Sequence, residues 1–293
     1  MAKTSEINIV GIVTKRQNQA HEALLKKLVT YLKKKKKQVV FDNNTSTFFP
    51  NEKGLKKEDL LKTCDLAIVL GGDGTLLKTA RRMPRKKTLI LGVNIGNLGF
   101  LTECTPDKLF ECLDKTFEGK FDIDKRTLLR TTVYRHGKKV ETYLALNDAV
   151  INQGAFARLI EIHLEVDNRK IVTFKADGMI VATPTGSTAH SLSAGGPIVH
   201  PRIPSLTISP ICPSSLSMRP IVIPDNRQMT ATIATDRRDE NAIIGLTIDG
   251  QDMFVLRYGD KIKFRRSSRS LQLVRTGNRY YRMLRQKLNW GEV

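Results

Sequence analysis

The sequence predicts an α/β domain with a parallel sheet, followed by a mostly antiparallel β domain. Up to about residue 125, short apolar runs bounded by turn residues alternate with helical stripes, the pattern of strands buried on both faces and covered by helices. From about Arg126 the hydrophobic period falls to two, as strands with one face in a core require. A chain of 293 residues is long enough for two ordinary cores.

Ile7 to Val13 reads as the first buried strand. Leu24, Leu25, Leu28, Tyr31 and Leu32 then recur at helical spacing, and Lys33 to Lys37 end that helix where cations favour its dipole. Gln38 to Phe41 reads as a second strand. Asp42 to Lys57 is polar and irregular and reads as a loop, long enough to be mobile or to touch a substrate. Glu58 to Lys62 reads as a short helix. Leu66 to Leu70 is the most completely apolar strand, and it stops in the turn Gly71-Gly72-Asp73-Gly74-Thr75. A helix is expected from Leu76, with Leu77 and Ala80 on the same face. After Pro84, Thr88 to Val93 gives another buried strand that ends in a second glycine turn, Asn94 to Phe100. Thr105 and Pro106 supply an N-cap and first-turn proline, Leu109, Phe110, Leu113 and Phe117 a helical stripe, and Gly119 its stop.

In the second half, Leu128 to Tyr134, a His136-Gly137 turn and Val140 to Ile151 read as antiparallel strands. Ile160 to Val166 alternates up to an Asp167-Asn168 turn, and Ile171 to Phe174 follows. Further strands are expected at Ile180 to Ala182, Leu206 to Ser209, Met229 to Ala234, Ile243 to Ile248, Met253 to Leu256 and Ile262 to Phe264. Arg279 to Leu288 reads as a terminal helix.

Composition narrows the function classes. With 40% hydrophobic and 27% charged residues the chain is globular, and no apolar run approaches the roughly 18 residues of a membrane span. The N-terminus lacks a signal-peptide core, so a soluble, cytoplasmic protein is expected. Cys64, Cys104, Cys112 and Cys212 include no CxxC pair, and the five histidines show no ligand spacing, which argues against a metal held by the protein alone. A net charge of +20 suits a polyanionic partner. Its densest patch is a helix end, and no nucleic-acid recognition motif accompanies it. A polyanionic small molecule fits better than specific nucleic-acid binding.

Three stretches carry chemistry. The Gly71 to Thr75 turn lies at the carboxyl end of a buried strand and before a helix, where glycines let backbone approach a phosphate and the helix terminus offers free N–H groups. It is neither GxxxxGK[ST] nor GxGxxG. Asp73 would repel a phosphate, so it suits holding a metal ion or taking a proton from an alcohol, a turn aspartate bonding its own backbone being the structural alternative. Asn147-Asp148 puts an amide and a carboxylate into an apolar strand, which a ligand or a cap must satisfy. Thr183 to Pro197 is crowded with hydroxyl residues and glycines, as close approach to a polar ligand requires, or as a flexible linker does.

Gly71-Gly72-Asp73-Gly74-Thr75, Asn94 to Phe100, Leu146-Asn147-Asp148, Phe174-Lys175-Ala176-Asp177-Gly178 and Thr183 to Pro197 occur in the order and approximate spacing of the NAD kinase family, and the resemblance covers nearly the whole chain. GGDG is shared with phosphofructokinases and lipid kinases; TPTGSTA followed by SLSAGGP is far more specific. No membrane-facing amphipathic helix supports a lipid kinase. The resemblance implies the NAD kinase/phosphofructokinase-like fold, with the active site between domains 1–125, rejoined by 275–293, and 126–274. It implies ATP-dependent phosphorylation of the adenosine-ribose 2′-hydroxyl of NAD, with Mg²⁺ or another divalent cation carried by ATP, in a homodimer or homotetramer. Asp73 matches the aspartate regarded as the general base. Gly71, Gly72, Gly74, Thr75 and Lys78 match the phosphate loop, and Asp73 and Gly74 also match NAD-binding positions. Asn147 and Asp148 match the pair that holds ribose hydroxyls. Thr188, Ala189, His190, Ser191, Leu192 and Ser193 match the adenosine segment, and Phe100 the region near adenine. Lys175, Asp177, Arg158 and Gln251 match further substrate positions. Two departures are visible: Asp148 is the shorter acid of the Asn-Glu/Asp pair, and His190 stands where the family commonly has tyrosine.

Overall fold

The computed structural model describes residues 6–15, 22–86, 88–96, 99–154, 159–234, 244–277 and 280–289. The chain forms two compact units, residues 1–125 with 271–293 and residues 126–270.

The first unit is organised by a parallel sheet. β1 (Ile9–Thr14), β2 (Gln38–Asp42), β3 (Gly54–Leu55), β4 (Leu66–Leu70) and β5 (Leu89–Val93) pair in the order β3-β2-β1-β4-β5, every pair parallel. The end of the last strand, β17 (Lys261–Arg275), adds itself in parallel to β5, Gln272 opposite Leu89. All five residues of β4 are fully buried, as a strand covered on both faces must be. Removing each of the Leu66, Ile68, Val69 and Leu70 side chains from water contributes about 1.5 to 3 kcal/mol. Helices α1 (Glu22–Lys34), α2 (Asn43–Ser46), α3 (Lys57–Thr63), α4 (Asp73–Ala80), α5 (Leu109–Phe117) and α7 (Tyr280–Leu288) complete the unit. The core on one side joins Leu25, Leu28 and Leu32 of α1 and Leu109 and Leu113 of α5 to the strands.

Two sequence expectations need correction here. The α4 helix begins at Asp73 rather than Leu76, with Gly72 as its N-cap, because a carboxylate in the first turn is favoured by the helix dipole. Asp42 to Lys57 is not a plain loop. Asp42 caps α2, its Oδ1 accepting from Thr45 N at 2.9 Å, and Gly54-Leu55 then adds a short strand.

The second unit is antiparallel. β8 (Asp148–Gln153), β11 (Gly178–Ala182), β12 (Ser205–Ile211), β13 (Ile221–Pro224), β15 (Ile244–Ile248) and β16 (Asp252–Leu256) form a sheet in the order β13-β12-β11-β8-β15-β16. β9 (Ile160–Val166), β10 (Arg169–Ala176), β14 (Met229–Ala234) and the start of β17 pair as β10-β9-β14-β17. β6 (Asp122–Arg135) and β7 (Lys138–Ala145) form a hairpin. The predicted turns His136-Gly137 and Asp167-Asn168 close hairpins with positive φ at both residues, the twist that two-residue hairpin turns require. Leu129, Ile151, Ile162, Met179, Leu246 and Phe264 are among the core residues of this unit.

Here the stretch Val140 to Ile151 is not continuous strand: β7 stops at Ala145 and β8 restarts at Asp148, for a reason given below. β13 and the short helix α6 (His190–Ser193) were not legible from periodicity, and β17 runs far beyond Ile262 to Phe264. Ile243 and Arg279 lie outside the described residues. Among the described residues no helix is long and apolar enough to cross a membrane.

Candidate active site

In the first unit the functional residues gather at the carboxyl ends of β1, β4 and β5. Strand order reverses between β1 and β4, the place where doubly wound sheets leave a crevice for a ligand. A cavity of about 300 Å³ opens there, lined by Thr14 at the end of β1 and Lys15 after it, Gly71 and Gly72 after β4, and Asn94 and Gly96 after β5. Asn94 is buried, and its Oδ1 accepts from Gly96 N at 3.1 Å, yet its Nδ2 has no hydrogen-bond partner. An unmet buried donor costs about 1 to 3 kcal/mol, so the amide N–H group is a donor suited to an oxygen acceptor in the cavity.

Asp73 is the first residue of α4. Its Oδ2 accepts from Phe100 N at 2.9 Å and its Oδ1 from Leu101 N at 3.1 Å. The carboxylate therefore does not close a turn on its own backbone; a separate loop holds it. Each oxygen keeps a free lone pair for a hydroxyl. Gly99 is obligatory in that loop, since a Cβ there would collide with the Asp73 carboxylate. Thr75 is buried behind the turn, while Lys78 is exposed near the end of α4.

In the second unit, the break between β7 and β8 is made by a carboxylate far away in sequence. Asp249, in the Asp249-Gly250 turn between β15 and β16, accepts from Leu146 N (3.0 Å), Asn147 N (2.8 Å) and Asp148 N (3.2 Å). Burial pushes its carboxyl up to about 6, with the neighbouring Asp148 charge adding to the rise and the three N–H groups opposing it. Thr183 Oγ1 donates to Leu146 O at 2.5 Å, and Thr183 N donates to Asn147 O at 2.8 Å. Gly186 lies against the Asn147 carbonyl so closely that a Cβ would overlap it. Asn147 and Asp148 thus have a fixed backbone. Asp148 is fully buried, and His190 Nδ1 lies 3.2 Å from each of its oxygens. That contact raises the imidazole above its ordinary range, burial opposing it and Asp249 adding to it.

The hydroxyl-rich stretch is ordered structure rather than linker. Residues Thr185–Thr188 form a 3₁₀ turn and His190–Ser193 the helix α6. Ser187 Oγ donates to Pro184 O and accepts from Val199 N, and Ser191 bonds Ser209. A groove of about 670 Å³ follows the sheet face from His190 and Ser193 past Val150 and Ile180 to Ile211 and Cys212. Thr188, Ala189 and Leu192 are half-buried beside it in sequence. Lys175 and Asp177 are not brought to Asp148: Ala182 of β11 faces Asp148 but Gly178 faces Asn152, so about 13 Å of strand intervenes. Asp177 Oδ1 accepts from Gln153 Nε2, and Lys175 pairs with Glu161. Gln251 is half-buried in the turn after Asp249, and Arg158 lies outside the described residues.

Sequence reasoning missed Asn94 as an individual donor, and Asp249, whose Asp-Gly signature marks only a turn.

Comparison with known proteins agrees with this arrangement. Residues 10–121 match the ATP-NAD kinase N-terminal domain and residues 146–276 the ATP-NAD kinase C-terminal domain. The chain is 40% identical to an NAD kinase of Solibacter usitatus over 98% of this chain and 99% of the relative, and 39% identical to one of Geobacter sulfurreducens over 97% and 99%. Among solved structures, an NAD kinase from Archaeoglobus fulgidus in complex with ATP aligns with a TM-score of 0.72 at 26% identity, covering 96% of this chain and 98% of that one. Yeast NADH kinase complexed with NADH shares the fold, with a TM-score of 0.88 at 24% identity over 99% and 89%.

Proposed function

The chain belongs to the NAD kinase family and phosphorylates NAD to NADP with ATP as donor, and we propose that it does so with Asp73 as the general base for the adenosine-ribose 2′-hydroxyl. The observation that carries this reading is the Asp73 carboxylate at the phosphate turn, held from behind by Phe100 N and Leu101 N with a lone pair left on each oxygen.

Phosphoryl transfer asks a protein for positioning and charge neutralisation more than covalent chemistry. In this reading ATP places its phosphates in the cavity beside Gly71, Gly72 and Asn94, whose orphan Nδ2 supplies a phosphate oxygen with a donor. Gly74, Thr75 and Lys78 complete the phosphate side. A divalent cation such as magnesium, carried by ATP, would supply charge neutralisation beside the phosphate turn. Asn147 and Asp148 hold the ribose hydroxyls, the fixed backbone under them keeping the acceptors in place. The His190 to Cys212 groove takes the rest of the dinucleotide along Thr188 to Ser193, with Phe100, Asp177, Lys175, Arg158 and Gln251 as further contacts. The reading places the enzyme in the cytoplasm as a homodimer or homotetramer, which sedimentation would size.

Incubation with ATP, Mg²⁺ and NAD, coupled to an NADP-specific dehydrogenase, tests the reaction. Asp73→Asn tests the base. It keeps the size of the side chain but cannot take a proton, and kcat should fall on the order of 10² to 10⁴-fold with NAD affinity kept. Turnover within about threefold of the parent would leave Asp73 a loop-shaping residue only.

A further inference from the structure

We infer that Arg275, supplied by the last strand, is a positioning residue for Asp73. The inference rests on the reading of Asp73 as general base, and the observation is a single peptide group with both ends taken. The Phe100-Leu101 peptide donates its N–H to Asp73 Oδ1 at 3.1 Å, and its carbonyl, Phe100 O, accepts from Arg275 Nη2 at 3.4 Å. Because a peptide unit is planar and stiff, the orientation of its carbonyl sets the orientation of its N–H. Arg275 therefore acts on Asp73 through one rigid plate.

The guanidinium grips the rest of the loop in the same way. Nη1 donates to Leu101 O and Thr102 O, both at 3.2 Å. Two carboxylates hold the guanidinium in turn. Glu103 Oε2 lies 3.3 Å from Nη1, and Asp124 Oδ2 lies 3.1 Å from Nε. Glu103 is 1% exposed and is itself fixed, its Oε1 accepting from Thr276 N and Thr276 Oγ1 at 2.8 Å each. All three guanidinium nitrogens are thus used, and three consecutive carbonyls point at one cation. A cation on a carbonyl also polarises the amide it belongs to, which strengthens the N–H bond on the far side.

The geometry needs arginine. A lysine ammonium keeps the charge but offers its donors from one point, and it cannot span Phe100 O, Thr102 O, Glu103 and Asp124 together. This predicts a defect in the chemical step rather than in substrate binding. Loss of the fork loosens the plate, Asp73 wanders from the hydroxyl, and a misplacement of about 1 Å reduces the rate by up to about 10²-fold.

The test is a double-mutant cycle of Arg275→Lys and Asp73→Asn, read by single-turnover rate, by KM for NAD and for ATP, and by thermal midpoint. Arg275→Lys should lower the rate about 10- to 100-fold, with both KM values within about twofold. In the Asp73→Asn background it should change the rate by less than about threefold, because the group it positions no longer takes a proton. An equal loss in both backgrounds, or a rise in both KM values without a rate effect, would make Arg275 a structural residue and overturn the inference. A parent-like Arg275→Lys beside a crippled Asp73→Asn also overturns it while leaving the base intact. An Asp73→Asn enzyme near the parent rate removes the base reading itself. If Arg275→Lys does not fold, Glu103→Gln loosens the same clamp with arginine in place and carries the same cycle, with the same outcomes.

Discussion

His190 Nδ1 is equidistant, at 3.2 Å, from the two carboxylate oxygens of the fully buried Asp148. The imidazole therefore occupies the acceptors that the ribose hydroxyls need. Its raised pKa means that the charged pair is fully present below the ordinary imidazole range, about 6.5, and is lost as pH rises through the folded value. Asp148 and Asp249 are the charged groups facing the ring. KM for NAD should fall as pH rises past about 6.5, and His190→Tyr should remove that step. Identical pH profiles for the two enzymes would take His190 out of the recognition of NAD.

Asp249 gives a stability prediction of definite sign. Its folded pKa, about 6, is above its ordinary value of 3.8, so its contribution is complete below about pH 4 and is lost as pH rises through about 6. A shift of about two units corresponds to about 3 kcal/mol. Asp249→Asn, which tolerates the left-handed turn conformation and still presents an acceptor, should flatten this part of the stability profile. Urea unfolding at several pH values from about 4 to 8 would show it, and an unchanged slope would assign the pH dependence to other groups.

Asn94 should discriminate donor binding from acceptor binding. Asn94→Asp replaces the orphan Nδ2 with a carboxylate oxygen inside the phosphate cavity, and KM for ATP should rise on the order of 10- to 100-fold with KM for NAD little changed. Equal effects on both substrates would place the phosphates elsewhere.

Two glycine substitutions should separate the halves of the site. Gly99→Ala forces a methyl into the Asp73 carboxylate and should depress kcat. Gly186→Ala pushes on the Asn147 carbonyl and should raise KM for NAD. Kinetics of the folded variants, with circular dichroism as the folding control, would sink the assignment if both substitutions changed the same parameter.

Much of this was legible because it is local. Leu66 to Leu70 announces a strand buried on both faces, the glycines after it a turn at a sheet edge, and Asp167-Asn168 a hairpin, all within a few residues. What escaped is held from a distance. Nothing near Asn147 says that the strand stops there, because the carboxylate that stops it is 102 residues away. The first turn of α4 was hidden by Gly72 and Gly74, poor helix formers that stand here as the N-cap and the second residue of the helix. Asn94 looked like one polar residue in a glycine turn until burial showed its amide unmet. Arg275 lies well beyond Ile262 to Phe264, the only part of its strand that alternation marked, and its five acceptors come from two other segments.

The late arrival of residues 271–275 orders the birth of the molecule on the ribosome. The second unit is a continuous stretch, 126–270, and can fold once it has emerged; the first has its earlier part synthesised long before but lacks the strand that covers the edge of β5. Until residues 271–275 appear, the stretch of that edge around Leu89 and Ile90 presents unpaired backbone groups to other nascent chains. A chain ended at residue 270 should therefore collect in aggregates through its first unit, and added peptide 271–293 should rescue it. A truncated chain that stays monomeric in sedimentation would show that β5 needs no such cover.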